Sequence, residues 1–162
     1  MVAELRVLLA ALDRREQPVR VRMTAHPHEL PDDLARHPRL DLLGQLPHHD
    51  LAEHWRRTTA VFFPCLLESF GYPLAEARVY GLPVLAPDTA QSREIAGSAL
   101  TPYHLSDVDS LAQALDGIDR TVVPEPDAFE RAPTSPGCWA WTGPARPPGR
   151  QVVEGRARTV RP

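Results

Sequence analysis

Helical and extended periods alternate along this chain as far as Leu115, and that alternation is what most restricts the fold. Residues 2–15 carry Leu5, Leu8, Leu9 and Leu12 at helical spacing. Residues 18–25 then alternate apolar residues with arginine, as a half-exposed strand does. Thr59-Ala60-Val61-Phe62-Phe63 is a short apolar run, rich in β-branched and aromatic residues, that stops at Pro64 and reads as a buried strand of a parallel sheet. A further strand at 82–86, a helix near 91–96 and a last helix at 107–115 continue the pattern. Strands and helices taken in turn predict an α/β fold, a parallel sheet with helices on both faces.

One stretch stands out for chemistry. Glu68-Ser69-Phe70-Gly71-Tyr72-Pro73-Leu74-Ala75-Glu76 sets two carboxylates either side of a glycine turn, where the strand at 59–63 hands over to a helix. Pro73 suits the first helical turn, because its missing N–H would have no partner there, so a helix is expected from near Tyr72 to Gly81. Open α/β sheets bind ligands at this edge, outside the carboxyl ends of the strands. The N–H groups of Tyr72, Leu74 and Ala75 are expected to face out of the helix start and offer a site for a phosphate or pyrophosphate. Gly71 has no Cβ and lets a ligand approach the backbone. Glu76, read as a first-turn residue, would repel a phosphate beside it and should meet a neutral group with two donors, such as the vicinal hydroxyls of a ribose. Glu68, on the loop, is placed to accept hydrogen bonds from a second polyol, a sugar. The plainer reading stays open at this point: Glu76 as a charge that favours the helix end, Glu68 as a solvated loop residue.

Residues 61–97 resemble the donor-binding half of the retaining GT-B glycosyltransferases of the family-4 type, which carry an E-x7-E motif. The resemblance rests on Glu68, Phe70, Gly71, Pro73, Glu76-Ala77, Gly81-Leu82-Pro83-Val84 and Glu94-Ile95 in register. Upstream, Arg39 to Pro47 and the following helix through Leu51 and Trp55 match more loosely, so the similarity extends over residues 1–118. It implies a Rossmann-like doubly wound parallel sheet, a single half of the GT-B fold. It also implies that Glu68 contacts the transferred sugar and acts at the catalytic centre, that Glu76 holds the nucleotide ribose, that Ser69, Phe70, Gly71, Tyr72 and Leu74 face the sugar and diphosphate, and that Gly44-Gln45-Leu46 lies near the base. The family works with a nucleotide-diphosphate sugar as donor, without a cofactor or a bound metal, and retains anomeric configuration.

The rest of the sequence bounds this reading. With 162 residues, the chain is long enough for one domain and too short for the two that a complete GT-B enzyme needs. The opening strand, glycine turn and basic residue of the family's second domain have no counterpart before residue 2, and the chain contains no lysine. The expectation is a fragment lacking the acceptor domain, weak or inactive as a transferase alone, since a departing diphosphate needs preorganised charge in a closed site. An acceptor-binding domain or chain would be its partner. The alternatives are a non-catalytic relic or a partner-dependent binding module, and fold alone does not exclude an epimerase or phosphorylase. A net charge of −3 gives no sign of a nucleic-acid partner for the whole molecule. Cys65 and Cys138 form no secreted disulfide framework, and the apolar run at 7–12 is too short to span a membrane, which points to the cytoplasm. Neither His26-x-His28 nor His48-His49 makes a closed ligand set, so no metal is expected.

After a connecting segment at 119–131, residues 132–162 are dominated by Pro, Gly, Arg and Ala, without a period. From Arg131 onward six arginines stand against one acid, Glu154, with Trp139 and Trp141 the only large apolar residues. This composition predicts a disordered tail, ordinarily solvated rather than held on a membrane surface or nucleic acid. The absence of Lys and Asn, with only two Ile, fits a GC-rich gene, and a shifted reading frame would produce a tail of this kind.

Overall fold

The leucines of the first segment lie on one side of a helix, α1 (Val2–Asp13), which buries Leu5, Leu8, Leu9, Ala11 and Leu12. The computed structural model describes residues 2–15, 19–66 and 70–129. The expectations for residues 132–162, with Cys138, Trp139 and Trp141, therefore lie outside the described residues, as do Glu68 and Ser69.

After α1 come β1 (Val21–Met23), a 3-10 turn at Pro27–Glu29, α2 (Asp32–Ala35), β2 (Leu40–Leu42) and α3 (His48–Arg56). They are followed by β3 (Val61–Phe62), α4 (Tyr72–Tyr80), β4 (Val84–Pro87), α5 (Ala90–Ala96), β5 (Leu100–Tyr103) and α6 (Val108–Asp116). Every strand pairing among the described residues is parallel: β1 with β2, Val21 opposite Leu40, and β3-β4-β5 in that order, with Val61 opposite Val84 and Val84 opposite Leu100. Central β4 is buried along its whole length, which is why Val84-Leu85-Ala86-Pro87 shows no polar alternation.

Side chains leave the strands in opposite directions, and helices cover both faces. On one face Phe62, Leu85 and Tyr103 pack with α1 and with Leu111, Ala114 and Leu115 of α6. On the other, Val61, Phe63, Val84 and Ala86 meet Leu74, Ala75 and Ala77 of α4, Ile95 and Ala96 of α5, and Trp55 of α3. Each fully buried leucine contributes about 1.5–3 kcal/mol through area removed from water. The chain is thus a Rossmann-like α/β unit with helices on both faces, as the alternation implies. Its sheet differs from a single continuous one, because among the described residues no ladder joins β1 to β3. The two pieces share a core all the same: Val21, Met23, Leu40 and Leu42 belong to the same cluster as Phe62, Leu85 and Tyr103.

The strand not foreseen in the sequence is β5. Leu100-Thr101-Pro102-Tyr103 contains a proline, which is tolerated because β5 is an edge strand and Pro102 is exposed. At its end Ser106 is the one non-glycine residue with positive φ among those described, at 58°. Buried Glu4 of α1 holds it, accepting from the Ser106 N–H at 3.1 and 3.2 Å and from its Oγ at 3.0 Å. Asp107 then caps α6, accepting from the N–H groups of Asp109 and Ser110 at 2.9 Å.

Residues beyond α6 fold back. Val122 is 3% exposed in the α4 side of the core, and Pro124 lies against Gly81.

Candidate functional site

At the carboxyl end of β3 the chain passes Pro64 and re-emerges at Phe70, and Gly71 turns it into α4. Gly71 is the N-cap residue, with φ 86° and ψ 55°, a left-handed conformation that glycine adopts without strain. Pro73 occupies the first turn, and Gly81, also left-handed at φ 68°, ends the helix. Helix start and stop thus fall where the Gly-x-Pro and Gly-x-Pro-Val spacings put them.

Three details of the turn depart from the sequence reading. The Leu74 and Ala75 N–H groups are not open to a ligand: both donate to the Gly71 carbonyl, at 2.9 and 3.3 Å, as the carbonyl of a cap residue accepts the first bonds of its helix. Of the three amides expected to face outward, only Tyr72 makes no such bond back to Gly71. Gly71 itself is buried, and a Cβ there would meet Leu74 Cδ1 at 3.1 Å, so the room left by its missing side chain is taken by the protein's own leucine. The Leu74 side chain is 1% exposed in the core. Finally, Glu76 is the fifth residue of α4 and lies beyond its first turn, which contains no acid. Its backbone stands about one turn along from the helix start.

Glu76 is half-buried and shares the i, i+4 face of α4 with Tyr80. Tyr80 stacks on Trp55 of α3, centroids 5.8 Å apart and 11° from parallel. Burial pushes the Tyr80 phenol above its ordinary value, with Arg56 opposing and Glu76 adding to the rise. Glu76 therefore borders a stacked aromatic pair, in a position compatible with a polar ligand group.

The surface around the turn is aromatic. Phe70 is 39% exposed and Tyr72 62% exposed; their rings meet edge-on at 5.2 Å. Phe129, far along the chain, closes on the other side of Phe70, edge-on at 6.0 Å. Nothing in the local sequence pattern marks Phe129 as part of this site; the only hint is a lone aromatic in an otherwise polar stretch.

Gly44 and Gln45 follow the carboxyl end of β2. Gly44 has φ 66°, its N–H donates to the Ala25 carbonyl at 3.1 Å, and the His26 ring lies directly over it, 2.8 Å from where a Cβ would stand. Gln45 is exposed beside it. His26 in turn stacks on His28, centroids 5.3 Å apart. In the sequence these two histidines suggest metal ligands, whereas in the fold His26 roofs Gly44 and His28 stacks on that ring. Among the described residues no three His, Cys, Asp or Glu side chains gather as a metal site, and no helix is long and apolar enough to cross a membrane.

Farther along the same sheet edge, a cleft of about 430 Å³ is lined by Asp88, His104, Asp107 and Asp109 among others. Its carboxylates are engaged: Asp88 with Arg93 at 2.7 Å, Asp107 in the α6 cap, Asp109 with Arg14. Arg93, adjacent to Glu94, is thereby a surface ion-pair residue.

No curated protein matches this chain. A family model described as glycosyl transferases group 1 matches residues 2–119, well over half of the 162. That span takes in every element from α1 to α6, with the Gly71 turn and the Gly44 loop both inside it. The chain belongs to the group 1 glycosyltransferases.

Proposed function

We propose that this domain binds the nucleotide-diphosphate sugar donor of a retaining hexosyl transfer, at the carboxyl end of β3. The observation that carries the reading is the left-handed Gly71 turn, which starts α4 as the next element after that strand, with Phe70 and Tyr72 exposed beside it. A helix start of this kind favours negative charge, each exposed charge–dipole contact contributing about 0.3–1 kcal/mol. With the Leu74 and Ala75 amides turned inward, the diphosphate is met by the Tyr72 N–H and the helix dipole, which is modest unless other groups join in. In this reading Glu68 and Ser69, on the preceding loop, address the transferred sugar, Glu76 takes the ribose hydroxyls, and Gly44 and Gln45 border the base.

Glu76's place one turn behind the helix start supports its ribose role better than a first-turn position would, since it separates the carboxylate from the phosphates. Hydrogen bonds to a charged acceptor are worth about 1.5–3 kcal/mol each. Calorimetry with UDP-glucose, GDP-mannose and ADP-glucose tests the site. One of the three is expected to bind, and Glu76→Ala to weaken that binding by roughly tenfold or more. Binding that is unchanged by the substitution refutes the ribose role; no binding of any of the three refutes donor binding by this domain.

A further inference from the structure

Residues 122–129 lie beyond the family match and yet run back along α4 from its end to its start. At the far end, Pro124 closes on Gly81, its Cγ 2.7 Å from the position a Cβ would take. Next, the Glu125 N–H donates to the Arg78 carbonyl at 3.1 Å. The Glu125 carboxylate accepts from Arg78 Nη2 at 2.6 Å and Nε at 2.9 Å, and from Ser98 Oγ at 2.8 Å. A turn closed by the Ala128 N–H on the Glu125 carbonyl, at 3.1 Å, then delivers Phe129 to Phe70. The Arg78 guanidinium sits 5.7 Å over the Phe129 ring, so one arginine fixes both the middle and the end of the segment.

We propose that residues 122–129 form a strap that holds Phe70, and with it the glycine turn, in place, making Phe129 a positioning residue for donor binding. This rests on the donor-site reading above. Among the described residues the rings that meet Phe70 are those of Tyr72 and Phe129, and Tyr72 belongs to the same exposed turn. Phe129 is anchored in the α4 side of the core, so it is the ring that ties Phe70 to the body of the domain. An edge-on aromatic contact of this class is worth about a two- to tenfold shift in an equilibrium. Without it, the turn samples other positions, and a ligand that needs one of them binds more weakly by the populated fraction.

The test compares the full chain with Phe129→Ala and Phe129→Tyr by amide hydrogen exchange and by calorimetry with whichever of UDP-glucose, GDP-mannose or ADP-glucose the wild type binds. Phe129→Ala is expected to speed exchange across residues 70–76 by about two- to tenfold and to weaken binding by a similar factor. Exchange within α6 should stay unchanged, and Phe129→Tyr should restore both properties. Unaltered exchange at 70–76, or faster exchange spread equally into α6, overturns the proposal, the second by reducing Phe129 to general packing. If the wild type binds none of the three sugars, the donor reading falls, and exchange at 70–76 with its rescue by Phe129→Tyr still decides whether Phe129 holds Phe70.

Discussion

Gly81→Ala is the substitution that separates backbone strain from steric fit at the end of α4. With φ 68° and ψ 41°, Gly81 lies in the left-handed region, where an L side chain costs roughly 1–2 kcal/mol. The new Cβ would also stand 2.7 Å from Pro124 Cγ and 2.8 Å from both its Cδ and its backbone nitrogen. Because one of those atoms is main chain, Pro124 cannot simply rotate aside, and overpacking of this sort costs about 1–3 kcal/mol. Together these give about 2–5 kcal/mol of lost stability, or a fall in Tm of roughly 8–20 °C for a domain of this size. Urea denaturation followed by circular dichroism measures it. Gly81→Asn divides the two causes: asparagine tolerates the left-handed region but carries the same Cβ. If contact with Pro124 dominates, Asn is nearly as harmful as Ala, and adding Pro124→Ala to Gly81→Ala recovers part of the loss. A Gly81→Ala protein within 1 kcal/mol of wild type would show that residues 122–129 do not lie against the end of α4 in solution.

Two further outcomes follow from buried and paired groups. Tyr103 is 2% exposed, its hydroxyl has no hydrogen-bond partner among the described residues, and burial, with a smaller push from Glu4, holds its phenol well above the ordinary range. Tyr103→Phe should therefore leave stability unchanged or raise it by up to about 1–3 kcal/mol, and a drop in Tm would reveal a partner for that hydroxyl. The hydrogen bond from Arg78, then that from Ser98, holds the Glu125 carboxyl below its ordinary value. A folded-state value below the unfolded one gives stability that is present above the unfolded value and is lost as pH falls through the folded one. Glu125→Gln should accordingly flatten the acid limb of a stability-against-pH curve below about pH 4.5, and superimposable limbs for the two proteins contradict the pairing.

The parts of the fold legible in the sequence are those written in local pattern. Leucines at helical spacing mark α1, and Gly71, Pro73 and Gly81 bracket α4 because cap conformations are limited to a few residue types. β5 escaped notice because Pro102 is a breaker except at an edge, and whether a strand lies at an edge is a property of the assembled sheet. The candidate site was half legible. Its place at the exit of β3 follows from the strand–glycine–helix order, and its family membership from residues in register. Which amides point outward depends on which residue caps the helix: with Gly71 as the cap, the Ala75 N–H makes the ordinary first helical bond, while the additional Leu74 bond to the same carbonyl was not legible. Nor was the contact of Phe129 with Phe70, or of His26 with Gly44, because both join residues whose neighbours in sequence show no sign of meeting.

The clasp between Glu4 and Ser106 spans 102 residues of chain. Contacts so distant in sequence are slow to form, since a long loop must close before they contribute. On a ribosome, α1 leaves the exit tunnel long before its docking partner in α6 has been made, and the leucine face that meets α6 waits uncovered in the meantime. Helix α1 is thus made well before the partner it docks on, and a nascent chain paused short of Ser106 carries its leucine face without that cover.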